Sequence, residues 1–313
     1  MTSESTRIPA QPVAVEAPHS GRAAPPGEPR RIGYLYIAPA MAFYTAFVLL
    51  PFLHSVWLSF FRWDGVTPGT WVGLGNYREI LSDPSIRSSF LHSVVLIFFF
   101  SLLPVSIGLL LASILSRAQV RGLTFFRAVL FLPQVVTAVV IGVIWRWIYD
   151  PAGPLNHALD TVGLGSLSRA WLGDFTWALP AVGLVGTWVT AGFCMVLFLA
   201  GVQKIPTSLY DAARVDGAGP VREFFAVTLP GLRNELVVVL TLTIIWALRT
   251  FDLIYVTTRG GPGNSTNVPA FTLYQRAFFT GQVGSAAAIG VTLALIIFVV
   301  VFAITRITER RPA

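Results

Sequence analysis

Long apolar runs alternate with shorter polar segments along this chain. Six runs are long enough to cross a bilayer, since a spanning helix needs about 20 mainly apolar residues. They cover residues 33–58, 93–115, 127–149, 177–201, 236–257 and 284–305. The second run carries no charge from Ser93 to Ser116. The pattern predicts an all-α membrane protein with six transmembrane helices.

The polar segments between these runs differ in character. Residues 1–29 hold six prolines and no periodic apolar face, which predicts a disordered tail. Residues 62–91 are expected to form an extracytoplasmic segment with short helical pieces. The 204–235 loop is polar and separates the fourth run from the fifth.

Charge gives these elements an orientation. The chain is 54% hydrophobic and only 12% charged, well below the roughly 25% of soluble domains. Its net charge of +7 does not indicate nucleic-acid binding, because four segments, residues 1–32, 117–127, 204–235 and 306–313, together hold 14 of the 22 Lys and Arg. Cytoplasmic segments are enriched in these residues. We therefore expect a multi-pass cell membrane protein with both termini and the 204–235 loop in the cytoplasm.

Several kinds of chemistry lack the residues they need. Lys204 is the sole lysine and Ile205 follows it, whereas a phosphate-binding P-loop requires Gly-Lys-Ser/Thr. The four histidines are scattered without metal spacing, and Cys194 is the single cysteine. We therefore expect no catalytic residues, no metal and no cofactor in this chain. If ATP drives it, another polypeptide binds the ATP and Mg²⁺.

The 204–235 loop carries the strongest local signals for turns and helix ends. A short helix is predicted from Thr207 or Ser208 to Val215, with Asp211 near the positive end of its dipole. Gly217 supplies the left-handed residue that ends a helix. A second helix is predicted to start at Gly219-Pro220 and to end at Pro230. Two short helices at a fixed angle would form a rigid projection from the membrane.

The same residues match a known pattern. Asp211-Ala212-Ala213, three residues, Gly217, nine residues, Val227, one residue and Leu229-Pro230 reproduce the spacing of the Glu-Ala-Ala loop. The chain thus resembles the permease subunits of binding-protein-dependent ABC importers, with Asp in place of Glu and Val in place of Ile. The resemblance implies a type I ABC importer transmembrane fold, with its transmembrane domain at 88–306.

In that family the loop seats in a cleft of a separate ATPase subunit. The resemblance therefore implies ATPase-coupling roles for six residues, with small alanines that let the helix seat closely and a glycine that makes the turn. These residues are Asp211, Ala212, Ala213, Gly217, Leu229 and Pro230.

Two further motifs refine the resemblance. Residues 72–77, Val-Gly-Leu-Gly-Asn-Tyr, are similar to a signature that follows the first span of sugar-type permeases. Residues 251–262, Phe-Asp-Leu-Ile-Tyr-Val-Thr-Thr-Arg-Gly-Gly-Pro, followed by Thr266, resemble a run of the MalF-like branch. The resemblance implies a second, MalG-like permease, an ATPase dimer and an external sugar-binding protein as partners.

Polar and aromatic residues in the spans are candidates for the transport path. Arg249 and Asp252 lie three apart in the fifth run, which places them on one helix face. They could line the path or staple helices together as an ion pair. Sugars stack on aromatic rings, which adds four candidates: Trp246, Tyr255, Trp188 and Phe193.

Two other classes of function compete with an ABC permease. An ion-coupled secondary transporter would need two related halves with broken helices, and Arg249/Asp252 have no counterpart in the first half. A membrane enzyme would need a catalytic cluster. Family analogy suggests an oligosaccharide, a disaccharide or a related polyol compound as substrate.

Overall fold

The computed structural model describes residues 30–117 and 122–309 and is helical throughout most of that range. The predicted tail at 1–29, Arg121 and the last four residues lie outside the described residues. The chain divides into two compact units, Met1–Phe52 and Leu53–Ala313. Five helices of the described residues are long and apolar enough to span a membrane, or six if one bent pair is a single span. The fold class predicted from the apolar pattern is therefore confirmed.

The first predicted span is helical but starts earlier than expected. Helix α1 covers Arg30–Tyr44, and a π-helical turn at Thr45–Leu49 leads into α2 at Leu50–Leu58. Pro39 lies inside α1 and Pro51 inside α2, and neither proline ends its helix.

A small cap of irregular structure follows. Strands β1, Phe61–Arg62, and β2, Thr70–Trp71, pair antiparallel and precede helix α3, Gly75–Ser82. The buried Asn76 amide donates hydrogen bonds of 2.8 Å to the carbonyls of Ser59 and Phe61. The Tyr77 hydroxyl lies 2.7 Å from that of Ser59. The asparagine and tyrosine of the 72–77 motif thus fasten α3 to the chain that enters the cap.

The second span is longer than the predicted 93–115. Helix α4, Pro84–Ile97, begins at the side-chain cap of Asp83 and continues through a π-helical turn, Phe98–Leu102, into α5, Leu103–Arg117. The helix therefore includes the last residues of the predicted 62–91 segment. An N-terminal proline at the first helical position explains this start, since its missing N–H needs no partner there.

The third predicted span, 127–149, is not one straight helix. It consists of α6, Leu123–Val135, and α7, Ala138–Ile148, which are bent by 98° at their junction. Val136 and Thr137 are extended at the bend. Pro133 and the β-branched residues after it oppose continuation of the helix. Arg127 lies inside α6 rather than in the preceding loop.

The remaining elements complete the described chain. They are α8, Pro154–Thr161, a 3₁₀ turn at Gly165–Leu167, α9, Ala178–Val202, α10, Thr207–Val215, α11, Pro220–Glu223, a π-helical turn at Phe224–Thr228, α12, Leu229–Gly231, α13, Arg233–Leu248, α14, Asp252–Thr257, α15, Pro269–Phe278, and α16, Val283–Glu309.

Helix α9 is the centre of the second unit. Its buried residues Val182 and Val185 pack in one core with Leu96 and Ile254, while Phe198 packs in a second core nearer the 204–235 loop. Small residues let neighbouring helices approach closely. A Cβ on Gly192 would lie 1.8 Å from the carbonyl oxygen of Leu130 in α6. Such close contact of small residues is the usual basis of helix association in membranes.

Each π-helical turn in the described chain ends two residues before a proline. The turns at Thr45–Leu49, Phe98–Leu102 and Phe224–Thr228 precede Pro51, Pro104 and Pro230. A proline in a helix has no N–H and clashes with the carbonyl four residues earlier. A wider turn relieves the clash and lets the helix continue.

The π-helical turn before Pro104 leaves one backbone carbonyl without its usual donor, and another helix supplies a donor to it. The Leu103 N–H donates to Phe98, so the Phe99 carbonyl loses its usual donor. The Thr187 hydroxyl of α9 donates to that carbonyl at 2.6 Å. Buried Thr243 of α13 donates to the hydroxyl of Ser101 at 2.7 Å. These contacts tie three helices together where the bilayer offers no alternative partner.

We expect Thr187→Val to destabilise the helix packing by about 1 kcal/mol, because the Phe99 carbonyl loses a donor and interhelical hydrogen bonds in membranes contribute about 0.6 to 2 kcal/mol. Unfolding in mixed micelles measures this change. Thr292→Val is the matched control, since among the described residues the Thr292 hydroxyl donates only to Ala288 of its own helix. Equal losses in both variants would contradict an interhelical role.

Candidate coupling loop and transport path

The 204–235 loop has the two-helix form predicted from its sequence. Helix α10 starts at Thr207 and ends at Val215, and Gly217 follows with φ +75°. The Ala218 N–H donates to the Ala213 carbonyl and the Gly217 N–H to Arg214, at 2.9 and 3.0 Å. These two bonds form a Schellman cap, which requires a left-handed residue at Gly217. The predicted helix end is confirmed in its detail.

Three side-chain ties hold the two arms of the loop together. At the base, Lys204 Nζ lies 3.0 Å from Glu235 Oε1. In the middle, the hydroxyls of Tyr210 and Thr228 lie 3.1 Å apart. Near the tip, Arg214 Nε donates to Glu223 Oε1 at 2.9 Å. The ties are nested, so the loop projects as a braced unit and not as a flexible connection.

Sequence reasoning missed Arg214 and Glu223. The Glu223 side chain is only 4% exposed, so its carboxylate needs partners, and Arg214 supplies one from the other arm. Arg214 also lies 3.4 Å from Asp211 Oδ1. The three-residue spacing from Asp211 was a visible signal for that contact. The nine-residue separation between Arg214 and Glu223 was not such a signal, because the contact between these residues depends on how the turn folds.

The predicted coupling residues are distributed over different surfaces of the loop. Asp211 is the fifth residue of α10 and lies beyond its first turn, so the predicted interaction with the positive end of the helix dipole was wrong. Its ionic contact is with Arg214. Ala212 is exposed and Ala213 is half-buried. Leu229 is half-buried beside Phe224, and exposed Pro230 lies one residue before the end of α12.

Helix α10 has a polar face and an apolar face. Thr207, Tyr210, Asp211 and Arg214 line a cavity of about 470 Å³ that also contains Arg127. Leu209 is exposed on the opposite side, and Val215 at the end of the helix is 87% exposed. The loop thus presents both charged and apolar side chains on its exposed surface.

The structure separates Arg249 from Asp252. Helix α13 ends at Leu248 and α14 begins at Asp252, so the chain between them is not helical. The expectation of one shared helix face was therefore wrong. Both side chains are exposed, and neither forms an ion pair within the described residues. The two charges therefore lie exposed on either side of the helix break.

The aromatic candidates fall into three groups. The rings of Phe193 and Trp246 lie 4.9 Å apart between α9 and α13. Trp188 contacts Trp145 of α7 at 5.6 Å. Tyr255 belongs to a cluster at the far end of α14. The structure therefore does not unite them in one site.

The threonine at the end of the 251–266 motif closes the turn after α14. The Thr266 hydroxyl donates to the Gly261 carbonyl at 2.7 Å and lies 2.7 Å from the Thr258 hydroxyl. Thr266 is fully buried. The motif thus has a structural explanation: its glycines and threonines shape the loop beyond the helix break.

A lipid-spanning set of helices with one braced polar projection defines a membrane subunit of a transport system. The chain belongs to the family of binding-protein-dependent transport system inner membrane components, whose model matches residues 104–312. The resemblance that the 211–230 spacing indicated is confirmed. The family assignment favours a permease over the ion-coupled transporter and the membrane enzyme.

Individual relatives cover most of the chain. A probable ABC transporter permease protein, YurN of Bacillus subtilis, is 39% identical over 85% of this chain and 91% of its own length. The diacetylchitobiose uptake system permease protein NgcF of Streptomyces coelicolor is 35% identical over 87% of this chain and 82% of its own. The trehalose/maltose transport system permease protein MalF of Thermococcus litoralis is 34% identical over 87% and 92%.

Solved structures show the same fold. A chain of a bacterial ABC transporter involved in the import of the acidic polysaccharide alginate matches with a TM-score of 0.77. It is 20% identical and the match covers 90% of this chain and 96% of that chain. The predicted importer-type arrangement of helices is thus confirmed.

Proposed function

We propose that this chain is one permease subunit of an ATP-driven sugar importer and forms half of its translocation pathway. Relatives 34% and 35% identical are named for the uptake of trehalose, maltose and diacetylchitobiose. Oligosaccharides, disaccharides and related polyol compounds are therefore the proposed substrate class.

The braced 204–235 loop is the observation that carries the proposal. A loop that transmits force must move as a unit, and the nested ties from Lys204, Tyr210 and Arg214 make it one. Its exposed Leu209 and Val215 offer an apolar surface to a separate ATPase, with Ala212 small enough for close seating. That ATPase binds ATP and Mg²⁺.

The remaining partners follow from the same proposal. A MalG-like permease completes the pathway, an ATPase dimer drives it, and an extracytoplasmic binding protein delivers the sugar. The 204–235 loop and both termini face the cytoplasm. The charge distribution supports this orientation, because the loop holds four Lys and Arg.

Co-purification tests the proposal directly. We expect the full chain, tagged and extracted gently, to bring with it a nucleotide-hydrolysing subunit and a second permease. Val215→Cys, made in a Cys194→Ser background, should react with an impermeant maleimide from the cytoplasmic side alone. Labelling from the outside, or sugar uptake by the purified chain without an ATPase, would overturn the proposal.

The charges at the helix break give a further prediction. Asp252 is exposed and forms no ion pair within the described residues. If Asp252 lines the path, Asp252→Asn is expected to alter transport kinetics. If Asp252 binds the second permease, the same variant is expected to reduce co-purification of that subunit. Uptake rate and subunit recovery are measured on the same preparation. Asp150→Asn controls for charge alone, because Asp150 is exposed, lies outside the 204–235 loop and, within the described residues, its carboxylate accepts only from the Ala152 N–H. Unchanged values for both quantities would exclude both roles.

A further inference from the structure

A second polar cavity lies at the end of the helices remote from the 204–235 loop. It has a volume of about 500 Å³ and lies between the start of α4, the 258–268 loop and α15. Four of its lining residues are aromatic: Tyr255, Phe271, Tyr274 and Phe279. The lining also includes Arg259, Asn264, Asn267 and Gln275 and contains no carboxylate. Aromatic surface with a few placed polar groups is the usual composition of a small-molecule site.

The aromatic rings form a contiguous cluster. Tyr255 and Tyr274 contact edge to face with centroids 5.6 Å apart, and Phe251 stacks on Tyr255 at 5.5 Å. Phe279 contacts Tyr274 at 5.5 Å and is 71% exposed. Interaction with the Tyr255 hydroxyl raises the pKa of Tyr274, so Tyr274 stays protonated at neutral pH and keeps a donor. A ring face with hydroxyl donors at its edge suits a molecule with both C–H and O–H surfaces.

The backbone beside this aromatic cluster is strained. Arg259 and Asn264 have φ values of +51° and +71°, and no other non-glycine residue of the described chain has a positive φ. Both line this cavity. Such conformations cost about 1 kcal/mol or more each and cluster at functional sites. Glycine would adopt the conformation of position 259 more easily than arginine does.

Arg259 is available to a ligand. Its guanidinium carbon lies 5.9 Å from the centroid of the Tyr255 ring, and it forms no ion pair within the described residues. The other arginine of the lining, Arg276, is occupied by Glu79 and Asp83. Exposed Asn264 and half-buried Gln275 carry side-chain amide oxygens that can accept hydrogen bonds. The cavity thus offers both donors and an acceptor.

We infer that this cavity is a saccharide-binding site of the permease, in which a sugar ring packs into the corner between the perpendicular rings of Tyr255 and Tyr274 and stacks on one of them, while Arg259 and the nearby amides bind its hydroxyls. The inference rests on the proposed function and adds to it a site distinct from the Phe193–Trp246 pair. The cavity volume lies within the range of about 300 to 1,000 Å³ of small-molecule sites. A sugar arriving from outside would meet this site before the spans.

Saturation-transfer NMR on the assembled complex in lipid nanodiscs tests the inference. The probes are trehalose, maltose and diacetylchitobiose, each added without the binding protein. We expect transfer to the ring C–H protons of at least one probe. Tyr274→Ala and Arg259→Gly are expected to reduce that signal at least fivefold, and Arg259→Gly should melt no lower than the wild type because glycine relieves the strain.

Two controls separate this site from its neighbours. Phe298→Ala removes an exposed ring of α16 that contacts Phe302 and does not line the cavity, and should leave the signal unchanged. The signal should also persist in Trp246→Ala. No transfer with any probe, or a signal that depends on Trp246 and not on Tyr274, would overturn the inference. ATPase co-purification is measured separately, so failure of the proposed function is distinguishable.

Discussion

Gly217→Val is expected to abolish sugar uptake while the protein remains in the membrane. Valine is strongly disfavoured at φ +75°, and left-handed backbone costs an L-residue about 1 to 2 kcal/mol. The Schellman cap would open, and the angle between α10 and α11 would change. No atom of the described residues lies within 4 Å of the position of a Gly217 Cβ, so the variant has no clash there that would unfold the rest of the chain. ATP-dependent uptake and membrane abundance are measured together.

Substitution with asparagine at the same position sharpens this experiment. Asn adopts left-handed conformations readily and should preserve the cap. If Gly217→Asn transports and Gly217→Val does not, the turn is what matters. If both fail, the ATPase requires the space that glycine leaves open. Normal uptake by Gly217→Val would contradict a coupling role for this turn.

The 204–235 loop was predictable because its signals are local. Gly217 marks a helix end and Pro220 a helix start, and each acts within a few residues of itself. The structure has α10 from Thr207 to Val215 as the sequence indicated. The tie from Arg214 to Glu223 was not predictable, since it forms only after the turn has placed the two arms side by side.

The spans were predictable in number but not in shape. Hydropathy identifies the length of apolar chain and is insensitive to its direction, so the 98° bend after Val135 was missed. Pro133 lies within an apolar run, and membrane helices tolerate proline when neighbours satisfy the freed groups. At Pro104 the neighbour is Thr187, 83 residues further along the chain. Whether a proline bends, widens or ends a helix therefore depends on contacts that no local pattern contains.

The helix break at Arg249 illustrates the same limit. A helical reading of the fifth run placed Arg249 and Asp252 on one face, but the intervening Thr250 and Phe251 are not helical. The Thr250 hydroxyl donates to the Trp246 carbonyl at 2.8 Å, which satisfies an acceptor at the end of α13. Phe251 packs among Tyr255, Phe271 and Tyr274. Tertiary packing of one ring thus competes with continuation of the helix.

Gly192→Ala is expected to remove most of the protein from the membrane. The new methyl group would lie 1.8 Å from the Leu130 carbonyl oxygen, far inside contact distance, and 2.6 Å from its carbon. The obstacle is backbone, so no side-chain rotation relieves it. Helix α6 would have to shift away from α9, with an overpacking cost of about 3 kcal/mol or more. Membrane abundance and the detergent melting temperature measure the effect.

Gly219→Ala is the matched control for this loss. Gly219 has an ordinary φ of −76°, and within the described part of the chain no atom lies within 4 Å of where its Cβ would be. The same methyl group is therefore expected to leave abundance unchanged, apart from a small effect on the start of α11. Equal abundance of Gly192→Ala and wild type would mean that α6 and α9 are not in this contact in the membrane. Because α9 connects directly to the 204–235 loop, a shift of α6 that the protein survives should also reduce uptake.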